Sequence, residues 1–285
     1  MKKILKKIFL NNFKSIFYML QKSNSKYLEI ETISFKIKKN CNLGKKETLI
    51  FSRPDQIITP NLMKRGEWDY FIVKFLKKYL KKNKNKYSFV DIGANIGLIT
   101  RQIITNNINV NNYHCVEPES KNFELLKKNL ESLTKKNIHF HNFALSPNKS
   151  IANRIFLNNE NFGDFSLLNF KKNNKFQKIK SLKPNQFFNK IVNQYKIENI
   201  IYKSDIQGMD EIVALSLNEK IIQKIKVMIL EISNINFLKE NLDKFSQLID
   251  KFSIKEDEKG NRISSKLILN KIKNSETFNL ILGKN

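Results

Sequence analysis

The fold of this chain is decided by the stretch Tyr87-Ser-Phe-Val-Asp-Ile-Gly-Ala-Asn-Ile-Gly-Leu-Ile-Thr100. Its apolar first half predicts a buried parallel strand. Gly93, Asn95 and Gly97 interrupt the run, and apolar residues compatible with a helix follow. Because glycine lacks a Cβ, the backbone can bend tightly there and leave room for a ligand. Strand, glycine turn and helix in this order are typical of sites where the backbone approaches a nucleotide-like ligand.

Asp91 indicates which kind of ligand would suit this turn. Its carboxylate stands at the end of the predicted strand, two residues before Gly93. Like charges repel, so a pyrophosphate is disfavoured there, whereas a cation is favoured by about 1 kcal/mol at 4 Å in water. S-adenosylmethionine carries a sulfonium and an ammonium group and meets this requirement. The alternative is an ordinary strand–turn–helix with an Asx-type turn.

Length and composition bound the class of protein. The chain has 285 residues, 41% of them hydrophobic, which is enough for one large α/β core and an appendage. The formal net charge of +26 suggests an anionic partner such as nucleic acid. The lysines are scattered along the whole chain, however, so we favour a compositional drift over a specific nucleic-acid surface. Cys41 and Cys115 are too few for a disulfide framework or a zinc site, and a reducing cytoplasm fits them.

The first twenty residues are basic and amphipathic, and they begin with Met1-Lys-Lys-Ile-Leu-Lys-Lys-Ile-Phe-Leu10. They lack the apolar core and the cleavage site of a signal peptide. Two interpretations stand: a helix packed on its own domain, which we favour, or a helix lying on an anionic membrane surface. The predicted location is therefore cytoplasmic, with residues 1–20 as the segment that would contact a membrane peripherally.

Strands and helices alternate along the rest of the chain. Strands are predicted at 87–92, 113–116, 138–143, 199–204, 225–232, 252–256 and 277–282. Helices are predicted at 96–106, 120–133 and 236–249, with a short helix from Asp210 and a looser region at 146–195. The alternation predicts a mostly parallel, Rossmann-like sheet of seven strands with helices on both faces.

The ends of the chain add two expectations. A hairpin-type turn at 258–261 would place an antiparallel strand at one edge of the sheet. Residues 1–80 are predicted to form an N-terminal extension of helices and short strands. The main domain is then 81–285, and it begins with the polar linker at 81–86.

Acidic and polar residues recur where the predicted strands end. Glu117, followed by Pro118, comes twenty residues after Gly97, where an acidic residue can bind both ribose hydroxyls of a nucleoside. Asn142 and Ala144 follow the third strand, where an amide beside a small residue can face an adenine edge. The carboxyl ends of parallel strands meet at one edge of the sheet, so these residues form a candidate site.

Several ordered motifs resemble the FkbM-type methyltransferases. They are Arg53-Pro-Asp55, Gly66-Glu-Trp-Asp69, Val90-Asp-Ile-Gly-Ala-Asn-Ile-Gly97, Val116-Glu-Pro118, Asn142-Phe-Ala-Leu-Ser146, Lys203-Ser-Asp-Ile-Gln-Gly-Met-Asp210 and Ile229-Leu-Glu-Ile232. The resemblance implies a class I methyltransferase fold, S-adenosylmethionine as cofactor, and an acceptor hydroxyl on a sugar, glycan or natural product. Two departures from the family pattern are Ser204, where an aliphatic residue is usual, and Gln207, where Glu is frequent. The departure at Ser204 concerns the part of the site that would bind the acceptor.

The resemblance assigns roles to particular residues. The cofactor would be bound by Asp91, Gly93, Asn95, Gly97, Glu117, Pro118, Asn142 and Ala144. Asp205 is the candidate catalytic residue, which positions the acceptor or takes its proton, or else it caps the turn at Gln207. Methyl transfer from a sulfonium requires no metal. The three histidines, His114, His139 and His141, lie in or beside apolar strands without metal-ligand spacing.

Three alternatives stay open. A nucleic-acid methyltransferase is prompted by the net charge, but the Asn/Asp-Pro-Pro-aromatic segment of base-amine enzymes is replaced here by Ser204-Asp-Ile-Gln207. A catalytically silent module on the same fold would bind a small molecule or partner without turnover. A nicotinamide dehydrogenase is disfavoured by Asp91, whose charge opposes a pyrophosphate.

Overall fold

The computed structural model describes residues 32–55, 57–81, 85–131, 133, 137–148, 153–158, 161–169 and 175–285. The basic segment 1–20 lies outside these ranges, so its packing or membrane contact stays a prediction. Among the helices of the described ranges, none combines the length and the apolar character needed to cross a membrane.

The elements follow one another in the alternating pattern that the sequence predicts. The strands are β1 (Ile33–Lys36), β2 (Leu49–Ser52), β3 (Tyr87–Ile92), β4 (Asn112–Val116), β5 (Asn137–His141), β6 (Ala144–Leu145), β7 (Arg154–Phe156), β8 (Phe176–Lys178), β9 (Ser181–Leu182), β10 (Asn199–Ser204), β11 (Ile225–Ile232), β12 (Ile254–Asp257) and β13 (Phe278–Gly283). The helices are α1 (Ile58–Arg65), α2 (Tyr70–Leu80), α3 (Leu98–Thr105), α4 (Ser120–Glu131), α5 (Pro184–Tyr195), α6 (Asp210–Leu215), α7 (Glu219–Lys224), α8 (Ile235–Glu240), α9 (Leu242–Asp250) and α10 (Ser265–Lys273).

Seven strands form one central sheet in the order β12-β13-β11-β10-β3-β4-β5. The neighbours from β11 to β5 run parallel, and β13 runs antiparallel to both β11 and β12. Apolar clusters on the two faces join the sheet to the helices. This is the Rossmann-like class I methyltransferase fold, so the predicted fold class is confirmed.

The antiparallel strand lies one place in from the edge of the sheet, between β11 and β12. The hairpin-type turn predicted at 258–261 is present, because Glu256 and Arg262 form an antiparallel bridge and the Asp257 N–H donates to the Asn261 oxygen at 3.0 Å. The chain then enters α10, so the antiparallel strand that pairs along β12 is β13. Helix α10 carries the chain across, so that β13 inserts between its two neighbours. Leu280, Ile281 and Leu282 are accordingly buried. The edge strand β12 carries the half-buried Lys255 and Asp257 and the buried Glu256, and charged residues are common on edge strands.

Helix α5 was missed by the prediction of a looser region at 146–195. Pro184 stands in its first turn, where the missing N–H costs no hydrogen bond. Phe187, Phe188 and Ile191 have helical spacing and are buried against the sheet, but the many neighbouring Lys and Asn residues obscured this pattern. The helix predicted at 236–249 is two helices, α8 and α9, which meet at Asn241.

Helix α2 contributes to the core of the central sheet although it precedes residue 81. Its buried Ile72, Val73 and Leu76 share one apolar cluster with Phe89 of β3 and Ile201 of β10. Apolar residues recur with helical spacing from Trp68 onward, and this spacing reflects burial of one helix face against the sheet. The division into 1–80 and 81–285 stays a prediction.

Three histidines and Tyr195 form a stack between the sheet and α5. The rings of His114 on β4 and His139 on β5 have centroids 4.7 Å apart, and His114 Nδ1 lies 3.3 Å from His141 Nε2. The Tyr195 hydroxyl lies 3.2 Å from His139 Nδ1. Burial, reinforced by the neighbouring His139, lowers the pKa of His114 to about 3 and that of His141 to about 4.

These histidines are expected to make folding stability sensitive to acid. A histidine with a lowered folded-state pKa stabilises the protein above its unfolded value of about 6.5, and this contribution is lost as the pH falls towards the folded value. Each one adds a slope of up to about 1.4 kcal/mol per pH unit. Urea unfolding of wild type and His114→Phe between pH 7.5 and 5 checks this, because comparing the two removes contributions from other buried groups. Parallel stability curves would contradict the assignment.

Candidate active site

A cavity of about 300 Å³ lies at the carboxyl ends of the central parallel strands. It is the place where open α/β sheets bind ligands. Six of the residues predicted for the site line it, namely Gly93, Asn95, Glu117, Pro118, Ala144 and Asp205. Asp91, Gly97 and Asn142 do not line it. The structure therefore brings together most of the predicted residues, buries Asp91 and Gly97 outside the cavity lining, and leaves Asn142 exposed.

The two glycines of the turn are required by contacts within the protein. Gly93 has a φ of +73°, and a Cβ there would lie 2.0 Å from the backbone oxygen of Asp205. Gly97 has a φ of +85°, and its Cβ would lie 2.7 Å from Leu126 Cδ1 of α4. Only glycine adopts such angles without strain and allows this close approach. The turn was predicted to leave room for a ligand, and the structure adds that it lets β10 and α4 pack closely.

Asp91 is completely buried and forms an ion pair inside the protein. Its Oδ1 lies 3.0 Å from Lys203 Nζ, and its Oδ2 accepts a hydrogen bond of 2.8 Å from Thr100 Oγ1. Lys203 also donates to the backbone oxygen of Gly93 at 3.1 Å. Burial opposes the charge of Lys203, but Asp91 and Asp205 outweigh it and hold the lysine pKa above its usual value. Asp91 thus acts on the turn through Lys203, which does line the cavity.

Glu117 presents a buried carboxyl group to the cavity. Its Oε2 accepts the Asn95 N–H at 2.9 Å, and its Oε1 accepts the Glu119 N–H at 2.9 Å. Asn95 lies in the glycine turn with a left-handed φ of +50°, and its N–H is the one that Glu117 accepts. Burial, reinforced by Glu119 and only partly offset by these hydrogen bonds, raises the pKa of Glu117 to about 8. Each oxygen of Glu117 accepts one N–H and has a second lone pair, so the ionised group can accept further hydrogen bonds.

Asn142 supports the segment that carries Glu117. Its side-chain amide donates to the backbone oxygens of Glu117 at 3.0 Å and Pro118 at 3.2 Å. Its predicted contact with an adenine edge stays a prediction. Ala144 begins β6 and is buried in the cavity wall.

A second group of acidic residues lines the cavity near Lys203. Gln207 donates from Nε2 to Asp205 Oδ1 at 2.9 Å and to Glu231 Oε2 at 3.1 Å. Burial, followed by the charges of Asp205 and Glu211, raises the pKa of Glu231 to about 8. In the described part of the chain, no group of three or more His, Cys, Asp or Glu side chains is arranged to hold a metal ion.

Sequence reasoning did not assign Asp69, Lys203 or Glu231 to the site. Asp69 reaches the cavity from the start of α2, and burial, followed by the charge of Asp205, raises its pKa to about 6. The sequence feature that could have identified Asp69 is the motif Gly66-Glu-Trp-Asp69, of which it is the last residue. Glu231 was visible as a strand end, whereas nothing in the local pattern marked Lys203 as facing the turn.

Residues 161–168, here called the strap, cross over the glycine turn. The backbone oxygen of Phe162 accepts hydrogen bonds from Asn122 Nδ2 at 2.9 Å and Asn95 Nδ2 at 3.4 Å. The guanidinium of Arg53 lies 3.7 Å above the centre of the Phe162 ring, a cation–π arrangement. The hydroxyl of Ser166 donates to the backbone oxygen of Gln207 at 2.7 Å. The strap therefore connects the Glu117 side of the cavity with its Asp205 side.

Comparison with protein families finds no match, and comparison with curated proteins finds none either. Among solved structures, the PH0226 protein from Pyrococcus horikoshii OT3 shares 10% identity over 75% of this chain and 74% of that chain, with a TM-score of 0.29. PH1948 from Pyrococcus horikoshii, provisionally assigned as an RNA methyltransferase, shares 11% identity over 95% of this chain and 97% of that chain, with a TM-score of 0.32. The fold is assigned from the strand order of the central sheet.

Proposed function

We propose that this protein is an S-adenosylmethionine-dependent methyltransferase of FkbM type that acts on a hydroxyl of a small-molecule, sugar or glycan acceptor. The observation that carries the proposal is the cavity shared by Glu117 and Asp205. These carboxyl groups follow β4 and β10, the two strands that flank β3 and its glycine turn. The ordered motifs of the sequence support the FkbM assignment.

The residues of the cavity fit S-adenosylmethionine chemically. Each oxygen of Glu117 accepts one backbone N–H, and a carboxylate oxygen has a second lone pair for a ribose hydroxyl. Asn95 Oδ1 is buried and accepts no hydrogen bond from the described residues, so a ligand donor would satisfy it. The carboxyl groups of Asp69 and Asp205 line the cavity and would favour the positive charge of the sulfonium and ammonium groups.

The protein's own contribution to the reaction is to position the acceptor and remove its proton. S-adenosylmethionine, which Glu117 and the glycine turn would hold, would supply an electrophilic methyl group for the acceptor oxygen and would leave as the neutral thioether. Asp205 receives the hydroxyl proton, which balances the charge. Holding the hydroxyl in line with the methyl group is the larger effect, because orientation lowers such barriers most.

The net charge of +26 favours nucleic acid as a second candidate acceptor. A labelled-methyl transfer screen over cell extracts, divided into glycan, lipid, small-molecule and nucleic-acid fractions, separates the two. We expect label in the glycan or small-molecule fraction with wild type and a loss of label with Asp205→Asn. Label confined to nucleic acid, or none with any fraction, would overturn the hydroxyl acceptor of the proposal.

Glu117 is expected to couple cofactor binding to proton release. Ribose hydroxyls donate to the ionised carboxylate, so binding of S-adenosylhomocysteine lowers a pKa that lies at about 8 in the free protein. Affinity should therefore rise between pH 6 and 8, with proton release near pH 7 measured by calorimetry in buffers of different ionisation enthalpy. Glu117→Gln should weaken binding about 10- to 100-fold and abolish this proton release, since hydrogen bonds to charged groups contribute about 1.5–3 kcal/mol.

The matched control is Glu124→Gln, which changes an exposed glutamate of α4 outside the cavity. This variant should bind like wild type with the same proton release. Unchanged affinity and proton release in Glu117→Gln would place the cofactor elsewhere.

A further inference from the structure

We infer that Gln207 is a positioning residue for the acceptor, because its amide cross-links Asp205 and Glu231 into a single proton-holding pair. This inference rests on the proposed function and adds to it a residue that acts through the candidate base. It ties the orientation of Asp205 to two further side chains, Gln207 and Glu231.

The cross-link follows from the hydrogen-bond geometry. The Gln207 side chain offers two N–H donors, and its Nε2 lies 2.9 Å from Asp205 Oδ1 and 3.1 Å from Glu231 Oε2. The two acids come from adjacent parallel strands in which Ser204 pairs with Leu230, so Asp205 and Glu231 continue the same register. The bond to Oδ1 leaves Asp205 Oδ2 available to an acceptor hydroxyl.

The backbone of Gln207 is held in an unfavourable conformation. Its φ of +50° is left-handed, which costs a residue other than glycine on the order of 1–3 kcal/mol. Ser166 of the strap donates to its backbone oxygen at 2.7 Å. The preceding Ile206 N–H is fixed by Asp210 Oδ1 at 3.1 Å. Such strain persists where the surroundings over-determine it, and at a cavity wall it indicates a functional constraint.

The charged groups around Asp205 and Glu231 explain why Glu231 would keep a proton. Burial first, and then the negative charges of Asp205, Glu211 and Asp69, raise the pKa of Glu231 to about 8, against the opposing charge of Lys203. Glu231 therefore keeps its proton near neutral pH. The N–H that Gln207 donates to Glu231 at 3.1 Å favours the ionised form of that carboxyl group.

Asp69 is a further charged group near Glu231, and its negative charge also raises the pKa of Glu231. It lies at the start of α2, and its own neighbours include Lys203, Arg65 and Glu258. Together with Asp210 and Glu211 of α6 and the Asp91–Lys203 ion pair of the central strands, these are the charged groups that face Asp205 and Glu231 from the elements packed around them. Their balance is negative, so removing the Gln207 donor is expected to raise the pKa of Glu231 further.

Two variants test the cross-link directly. Gln207→Asn keeps an amide and tolerates the left-handed backbone, but it is one methylene too short to bridge both acids. Gln207→Glu keeps the length and adds a negative charge. Titration by carbon-13 NMR of protein labelled at its Asp and Glu carboxyl carbons, assigned with Asp205→Asn and Glu231→Gln, should show the Glu231 midpoint about one pH unit higher in Gln207→Asn. The midpoint should be higher still in Gln207→Glu, while Gln223→Asn, an exposed change on α7, should leave it unchanged.

A functional readout accompanies the titration. With S-adenosylmethionine and the extract fraction labelled by wild type, the low-pH limb of the transfer rate should move up by about one pH unit in Gln207→Asn. Affinity for S-adenosylhomocysteine should stay within twofold. Unchanged carboxyl midpoints in both Gln207 variants would overturn the cross-link even if the protein is a methyltransferase. Absence of both S-adenosylhomocysteine binding and methyl transfer in wild type would overturn the proposed function, and with it the acceptor role of Gln207.

Discussion

Replacing Gly93 with alanine is expected to lower the free energy of unfolding by more than about 4 kcal/mol, or to prevent folding. The added Cβ would lie 2.0 Å from the backbone oxygen of Asp205 at a left-handed φ of +73°. That oxygen belongs to the backbone following β10, and the Asp205 N–H already donates to the Ile92 oxygen at 3.1 Å. Neither segment can withdraw without breaking the sheet beside the cavity.

Gly260→Ala provides the matched control for this experiment. Gly260 has a φ of +84°, and a Cβ there would meet no atom within 4 Å. This variant should therefore show only the backbone strain of about 1–2 kcal/mol. Urea unfolding of both variants isolates the steric part as their difference. Equal destabilisation would mean that β3 and β10 do not approach each other as closely as described.

Breaking the Asp91–Lys203 ion pair is expected to cost about 3–5 kcal/mol, because either single substitution leaves the other charge buried and unpaired. Their Nζ–Oδ1 distance is 3.0 Å, and the side chains are 6% and 1% exposed for Lys203 and Asp91. Lys203→Met and Asp91→Asn should each be strongly destabilising. The double variant should lose less than the sum of the two, since it removes both charges together.

The exposed pair of Lys36 and Glu47 serves as the comparison. Its N–O distance is shorter, at 2.7 Å, but its side chains are 61% and 58% exposed, so Lys36→Met should cost under about 1 kcal/mol. Denaturant unfolding of the single and double variants measures the coupling. Additive losses for Asp91 and Lys203 would show that the two charges do not depend on each other.

The same pair separates a supporting role from a binding role. Asp91 lies behind the cavity wall, so a folded Asp91→Asn should keep more affinity for S-adenosylhomocysteine than Glu117→Gln does. Lys203 faces the cavity and also donates to the Gly93 oxygen. The glycine turn is therefore held from behind by one ion pair and from the front by the strap.

Local patterns were sufficient to predict much of this protein. Strand β3 was predicted with its observed bounds because its six residues are all buried, which produces a mostly apolar run that only Ser88 and Asp91 interrupt. The acidic strand ends were readable because parallel strands place their carboxyl ends together. Helix α5 was not predicted because it lies among polar residues. The order of β12 and β13 was not predicted because it depends on how the last helix crosses the sheet.

The sequence by itself determined the alternation of strands and helices, the glycine turn and the positions of Glu117 and Asp205, because these depend on spacing along the chain. Only the tertiary structure decided what each group contacts. It buried Asp91 against Lys203 across 112 positions, and it joined Gln207 to Glu231 across neighbouring strands. The physical reason is that burial and pairing set the charge of a carboxyl group, and both arise when distant segments pack together.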